Sequence, residues 1–156
     1  MNRKITLGTA AVLFAAVGIC WAASSNVFMG TWQLNEAKSK TAAGAGKNST
    51  VAYTMEDDNI KCTIDGTDAS GQAIHSEWTG KFDGKDHPVT GDPTSDMRSY
   101  RMINSHTLSV TEEKDGKVVD TVRIVVSADG KTRTVTAHGR NAKGMPTTSV
   151  TVYDKQ

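Results

Sequence analysis

From Val51 onward the apolar residues of this chain fall on alternate positions, and turn-forming residues break the alternation about every ten residues. A period of two is the signature of a strand with one buried and one wet face. Val51, Tyr53 and Met55 alternate with Ala52 and Thr54, and Ile60, Cys62 and Ile64 with Lys61, Thr63 and Asp65. Asp57-Asp58-Asn59 between them reads as a tight turn, which makes the two runs a hairpin. Ile74, Ser76, Trp78, Gly80 and Phe82 share one face of the next strand, and His75, Glu77, Thr79 and Lys81 the wet one. Asp65-Gly66, Asp83-Gly84, Asp115-Gly116 and Asp129-Gly130 read as turn dipeptides, since Asp and Gly tolerate positive φ.

Further strands are expected over 97–103, 107–113, 117–127, 131–139 and 146–154, with a first strand over 27–34 and a small, polar loop over 35–48. That makes about nine strands and no long helical period, so the expected fold is all-β: an up-and-down antiparallel β-barrel of about 8–10 strands. An open meander of that length exposes two edges, and closure removes both. A barrel of this size has room inside for a small ligand as well as side chains.

The first twenty-odd residues differ in kind. Asn2-Arg3-Lys4 is basic, Ile5 to Ile19 is largely apolar, and Ala22 and Ala23 are small. This is the layout of a secretory signal peptide over 1–22, with a single β-barrel domain over 23–156 and a periplasmic or secreted destination. Cleavage after Ala22 is preferred, because cleavage after Ala23 puts bulky Trp21 where a small residue belongs. Lipid anchoring through Cys20 is disfavoured, because Ile19 stands where a small residue normally precedes a lipidated Cys. The apolar run is too short to favour a transmembrane helix, so no stable membrane insertion is expected.

Removing the signal takes away Arg3 and Lys4 and leaves 16 basic against 17 acidic side chains. That balance argues against nucleic acid and anionic membranes as partners. Cys62 is then the only cysteine, which excludes an intrachain disulfide and reads as a small buried strand residue. Gly44-Ala45-Gly46-Lys47 is not a phosphate loop, since Thr41 and Asn48 stand where Gly and Ser or Thr are required.

The two ends of the mature chain carry a resemblance. Gly30-Thr31-Trp32-Gln33-Leu34 resembles the Gly-x-Trp first strand of the calycins, the lipocalin and fatty-acid-binding barrels. Val150-Thr151-Val152-Tyr153-Asp154-Lys155 is similar to the closing strand of the fatty-acid-binding branch. The resemblance implies a closed barrel that binds a small hydrophobic ligand. Thr151 stands where that branch has the Arg that grips a carboxylate, and the segment 35–48 is too short and Gly-rich for its two-helix lid.

The candidate ligand-binding residues of the interior are Trp32, Tyr53, Trp78, Tyr100, Arg101, Arg123 and Tyr153. Flat apolar faces with a few polar handles are what a small-molecule site needs. Trp32 on the first strand is expected to plug one end of the barrel. Arg98, Arg101, Arg123 and Arg133 all fall on strands, and an inward Arg must be paired or must hold an anion. Arg101, grouped with Met97, Ser99 and Ile103, and Arg123, grouped with Val119, Thr121 and Val125, are the two preferred. The four histidines show no metal-ligand spacing, Asp92 and Asp96 match no calcium loop, and there is no Gly-x-Ser-x-Gly elbow. No metal, no cofactor and no enzymatic activity are expected. The alternative to a ligand binder is a structural or protein-interaction domain with a packed interior.

Overall fold

The computed structural model describes residues 26–141 and 143–156; the expected signal at 1–22 lies outside them. Ten strands run in chain order: β1 Gly30–Leu34, β2 Lys47–Glu56, β3 Asn59–Thr67, β4 Ala73–Gly80, β5 Asp83–Thr90, β6 Met97–Asn104, β7 Thr107–Lys114, β8 Lys117–Val126, β9 Thr132–Arg140 and β10 Pro146–Lys155. Each pairs antiparallel with its sequence neighbours, and β1 pairs with β10 to close the barrel. The expected up-and-down barrel is therefore the fold observed.

The alternation sets the walls. On β3, Ile60, Cys62 and Ile64 are buried while Lys61, Thr63 and Asp65 face outward. On β4, Ser76, Trp78 and Gly80 are buried and His75 is exposed. Salt bridges link outward residues of neighbouring strands, His75 to Asp65 and Lys61 to Glu77, so that part of the outer face is charged.

One end of the barrel is plugged. Phe28, Trp32, Trp78, Leu108 and Val126 are buried there, with Phe82 packed against them. Trp32 is fully buried, and its indole Nε1–H donates to the Phe28 carbonyl at 2.8 Å. The Lys155 ammonium lies 5.1 Å from the Trp32 ring centre. Gly30 makes that approach possible: its φ is +103°, and a Cβ there would sit 3.2 Å from the Lys155 side chain. The first and last strands are thus joined by a Gly, a Trp and a Lys as well as by their ladder.

Three expectations are corrected. A tenth strand, β5, occupies residues 83–90, where the sequence shows Gly84, Pro88 and charges on both faces. It meets β4 at only two residue pairs, Glu77↔Thr90 and Trp78↔Val89. Trp78 spans the thin seam, its Nε1–H donating to the Arg98 carbonyl on β6 at 2.8 Å. Asp83-Gly84 is accordingly not a hairpin turn but the start of β5, at an irregularity in its pairing with β6. Asp65-Gly66 likewise lies inside β3, where a Cβ on Gly66 would collide with the Lys47 carbonyl across a bulge. Asp115-Gly116 does turn between β7 and β8, with φ of +51° and +70°.

β1 has five residues and lies between two strands of ten. The rest of that gap is covered by the segment between β1 and β2. Asn35 caps a short 3-10 turn at Glu36–Lys38 and donates to the Asp154 carboxylate at 2.6 Å. Lys40 then bridges to Val150, and the Ala42 amide donates to the Ser149 hydroxyl at 2.9 Å.

Candidate functional site

Above the plug the barrel is hollow. The cavity measures about 510 Å³, within the range of about 300–1,000 Å³ that small-molecule sites occupy. Aliphatic side chains form much of its wall, among them Val51, Ile64, Val110, Val122, Ile124 and Val135. Its mouth lies at the end opposite Trp32. There it is bordered by Thr41–Asn48, by Asp92-Pro93-Thr94 between β5 and β6, and by Arg140 and Asn141 at the end of β9.

The sequence-predicted aromatics are all inside. Trp32, Tyr53, Trp78, Tyr100 and Tyr153 are each 3% exposed or less. Trp32 and Trp78 belong to the plug, whereas Tyr53, Tyr100 and Tyr153 also border the cavity. Tyr53 meets Tyr100 edge to face, with ring centres 6.1 Å apart. The Tyr153 hydroxyl donates to the Asn48 carbonyl at 3.0 Å, fastening the closing strand to β2. Burial pushes the phenols of Tyr53 and Tyr100 well above their ordinary values, so both stay protonated. Cys62 is buried beside Tyr100, with Sγ 3.7 Å from its hydroxyl, and burial raises its thiol too, the opposite of an activated nucleophile.

The arginines are the main correction. Arg101 and Arg123 are exposed on the outer face, and Arg101 lies across Gly84. Arg98 and Arg133, 4% and 2% exposed, are the two that point inward. Of the neighbours grouped with Arg101 and Arg123, the large apolar ones on the outer wall are exposed: Ile103 is 50% accessible, Val119 and Val125 38% each. The signal for the right pair is parity. Arg98 is two residues from buried Tyr100, and Arg133 leads the inward run Val135, Ala137 and Gly139.

The two inward arginines differ in company. Arg98, near the mouth, pairs with Asp92 through Nη2 at 2.9 Å and with Glu112 through Nε at 2.9 Å. Asp92 also accepts from the Thr94 and Ser95 hydroxyls, at 2.7 and 2.8 Å. Burial alone would raise Asp92, but these bonds and the Arg98 charge hold it below the usual carboxylate range. Glu112 moves the other way: burial raises it, Arg98 opposes that, and Asp92 and Asp120 add to it. Asp120 faces Glu112 across the β7–β8 ladder and is also raised by burial.

Arg133, at the far end of β9, has no salt bridge among the described residues. Among the described residues its Nε and Nη1 find no hydrogen-bond acceptor. Three aromatic rings surround its guanidinium instead, with centres 4.4 Å away for Tyr153, 5.3 Å for Trp32 and 5.6 Å for Tyr53. Among the described residues no group of three or more His, Cys, Asp or Glu is placed to hold a metal ion.

No protein-family model and no curated protein matches the chain. Among solved structures it is similar to a redesigned β-barrel, mFAP1, bound to DFHBI, at 14% identity and a TM-score of 0.41, covering 83% of this chain and 95% of that one. That likeness is too distant to bear on what this lumen holds.

Proposed function

We propose that this protein is a secreted or periplasmic barrel of lipocalin-like construction that takes up one small, mostly apolar ligand in its lumen. The hollow carries the reading: about 510 Å³ open at one end, lined by Val and Ile and backed by an aromatic plug. Burying the apolar body of a ligand against such walls gains about 25 cal/mol per Å² removed from water. The basic, apolar and small-residue pattern of the first 22 residues supports the extracytoplasmic destination. A barrel filled by its own side chains is at odds with the space left open. The reading is of a binder rather than a catalyst, since Arg98 is engaged by acids and Cys62 is held as a thiol.

Titration with environment-sensitive fluorescent apolar probes tests this. Ala137 on β9 lines the cavity, and Ala137→Trp places an indole in it. Saturable 1:1 uptake by the wild type, lost in a folded Ala137→Trp, is the expected result. Absence of uptake of any probe by the wild type refutes the reading.

A further inference from the structure

One row of inward positions crosses four strands at the mouth. Arg98 on β6 is the cross-strand partner of Glu112 on β7, and Glu112 is the partner of Asp120 on β8. Gly139 on β9 comes next, where a Cβ would sit 3.1 Å from the Asp120 carboxylate. The row runs cation, acid, acid, no side chain. Asp92 meets the same Arg98 from the β5–β6 loop at 2.9 Å, as Glu112 does at 2.9 Å from β7. Three carboxylates against one guanidinium would leave two negative charges unmatched.

Like charges on directly opposite strand positions are destabilising, since their Cβ atoms stand about 4.5–5.5 Å apart. Here water cannot screen them fully. Asp120 Oδ1 is out of contact with solvent, and among the described residues no donor meets it. A proton supplies what is missing, because a protonated carboxyl becomes a donor to its neighbour. The surrounding charges do not replace it. Arg140 is exposed and donates to the Gly144 carbonyl at 2.8 Å, and His138 is exposed on the outer wall. The backbone N–H groups of Thr121 and His138, with the His138 and Arg98 charges, pull Asp120 down, but burial outweighs them. At Glu112, burial and the charges of Asp92 and Asp120 outweigh Arg98.

We propose that Glu112 and Asp120 share one proton above the pH at which ordinary carboxyls have lost theirs, and that this proton latches β7 to β8 at the mouth of the lumen. The latch sits at a weak point. The β7–β8 register shifts between Glu112 and Glu113, and beyond it only Glu113↔Val118 and Lys114↔Lys117 hold the tip. As pH rises and the proton leaves, two like charges face each other at the root of that tip, and the tip loosens. Both residues border the cavity, so access to it follows pH. The inference needs no ligand in the lumen.

Carboxyl carbon NMR of the labelled wild type, followed over about pH 3–9, tests the shared proton. Glu112 and Asp120 are expected to titrate together in two steps, the upper one above the ordinary carboxyl values of about 3.9–4.3. Independent titration of both within that range overturns the proposal. Asp120→Asn keeps a donor and an acceptor but removes one charge. The pair's contribution to stability is complete below about pH 4 and is lost as pH rises through the upper step. The urea midpoint of the wild type should therefore fall more steeply with pH than that of Asp120→Asn, which becomes the more stable of the two at alkaline pH. Equal slopes overturn the proposal. Amide exchange at Glu113–Lys117, corrected for its intrinsic pH dependence, should quicken with pH in the wild type and not in Asp120→Asn; equal behaviour overturns the latch. The wild-type titration decides whether or not the variant folds.

Discussion

Arg133→Met in the ligand-free protein measures what this buried arginine costs or contributes to the fold. Arg133 is 2% exposed and has no salt bridge among the described residues, so folding strips its charge of water with no carboxylate of theirs to meet it. The effective cost of burying an ion is several kcal/mol even after relaxation. Three ring faces offset part of it, at roughly 0.5–2 kcal/mol each. Methionine at 133 would remove the charge, keep the apolar stem and offer a sulfur to the same rings, a contact of about 0.3–1.5 kcal/mol. The opposing terms are of similar size, so Arg133→Met should leave the stability within about 2 kcal/mol of the wild type. Protein refolded from guanidinium chloride, and so free of carried-over ligand, is the material to use. Urea unfolding followed by far-UV circular dichroism is the assay, with the m-value checked for constancy. Destabilisation of about 2 kcal/mol or more would show that the rings repay the buried charge in full and that Arg133 is a strut.

Two further outcomes follow from the geometry. Trp32→Ala removes a fully buried indole and frees the Phe28 carbonyl, and should cost about 3–5 kcal/mol in urea unfolding; a loss under about 1 kcal/mol would contradict the plug. His75, exposed on the outer face, has its imidazole raised above the ordinary value by its 2.6 Å hydrogen bond to Asp65 and by Glu77. Its contribution to stability is therefore complete below the ordinary histidine value of about 6.5 and is lost as pH rises through the raised one. Relative to the wild type, His75→Ala should flatten the dependence of the urea midpoint on pH above about 6.5, and an unchanged slope would contradict the linkage.

The alternation was enough to place the aromatics, because a residue of the right parity on a half-buried strand has one place to go. It put Tyr53 and Trp78 on the apolar faces of their strands, and both are buried. β5 was not legible. Its residues 83–90 place charge on both faces and owe their strand geometry to β6 and a thin seam with β4 rather than to propensity. The arginines misled because apolar neighbours are a poor guide to the inner face where the outer wall also carries Ile103, Val119 and Val125. Parity with Tyr100 and Val135 was the better guide. That Arg98 would find two acids and Arg133 none is a tertiary fact, since Asp92 and Glu112 reach Arg98 from a loop and a neighbouring strand.

The central claim is that the lumen holds a small molecule. Native mass spectrometry of the chain, purified without organic solvent and then mixed with an excess of decanoate, tests it most directly. The account predicts a 1:1 adduct in the wild type that is absent from a folded Ala137→Trp, whose indole occupies the cavity. A wild-type spectrum showing only the bare chain, or an adduct that Ala137→Trp retains in full, would contradict it.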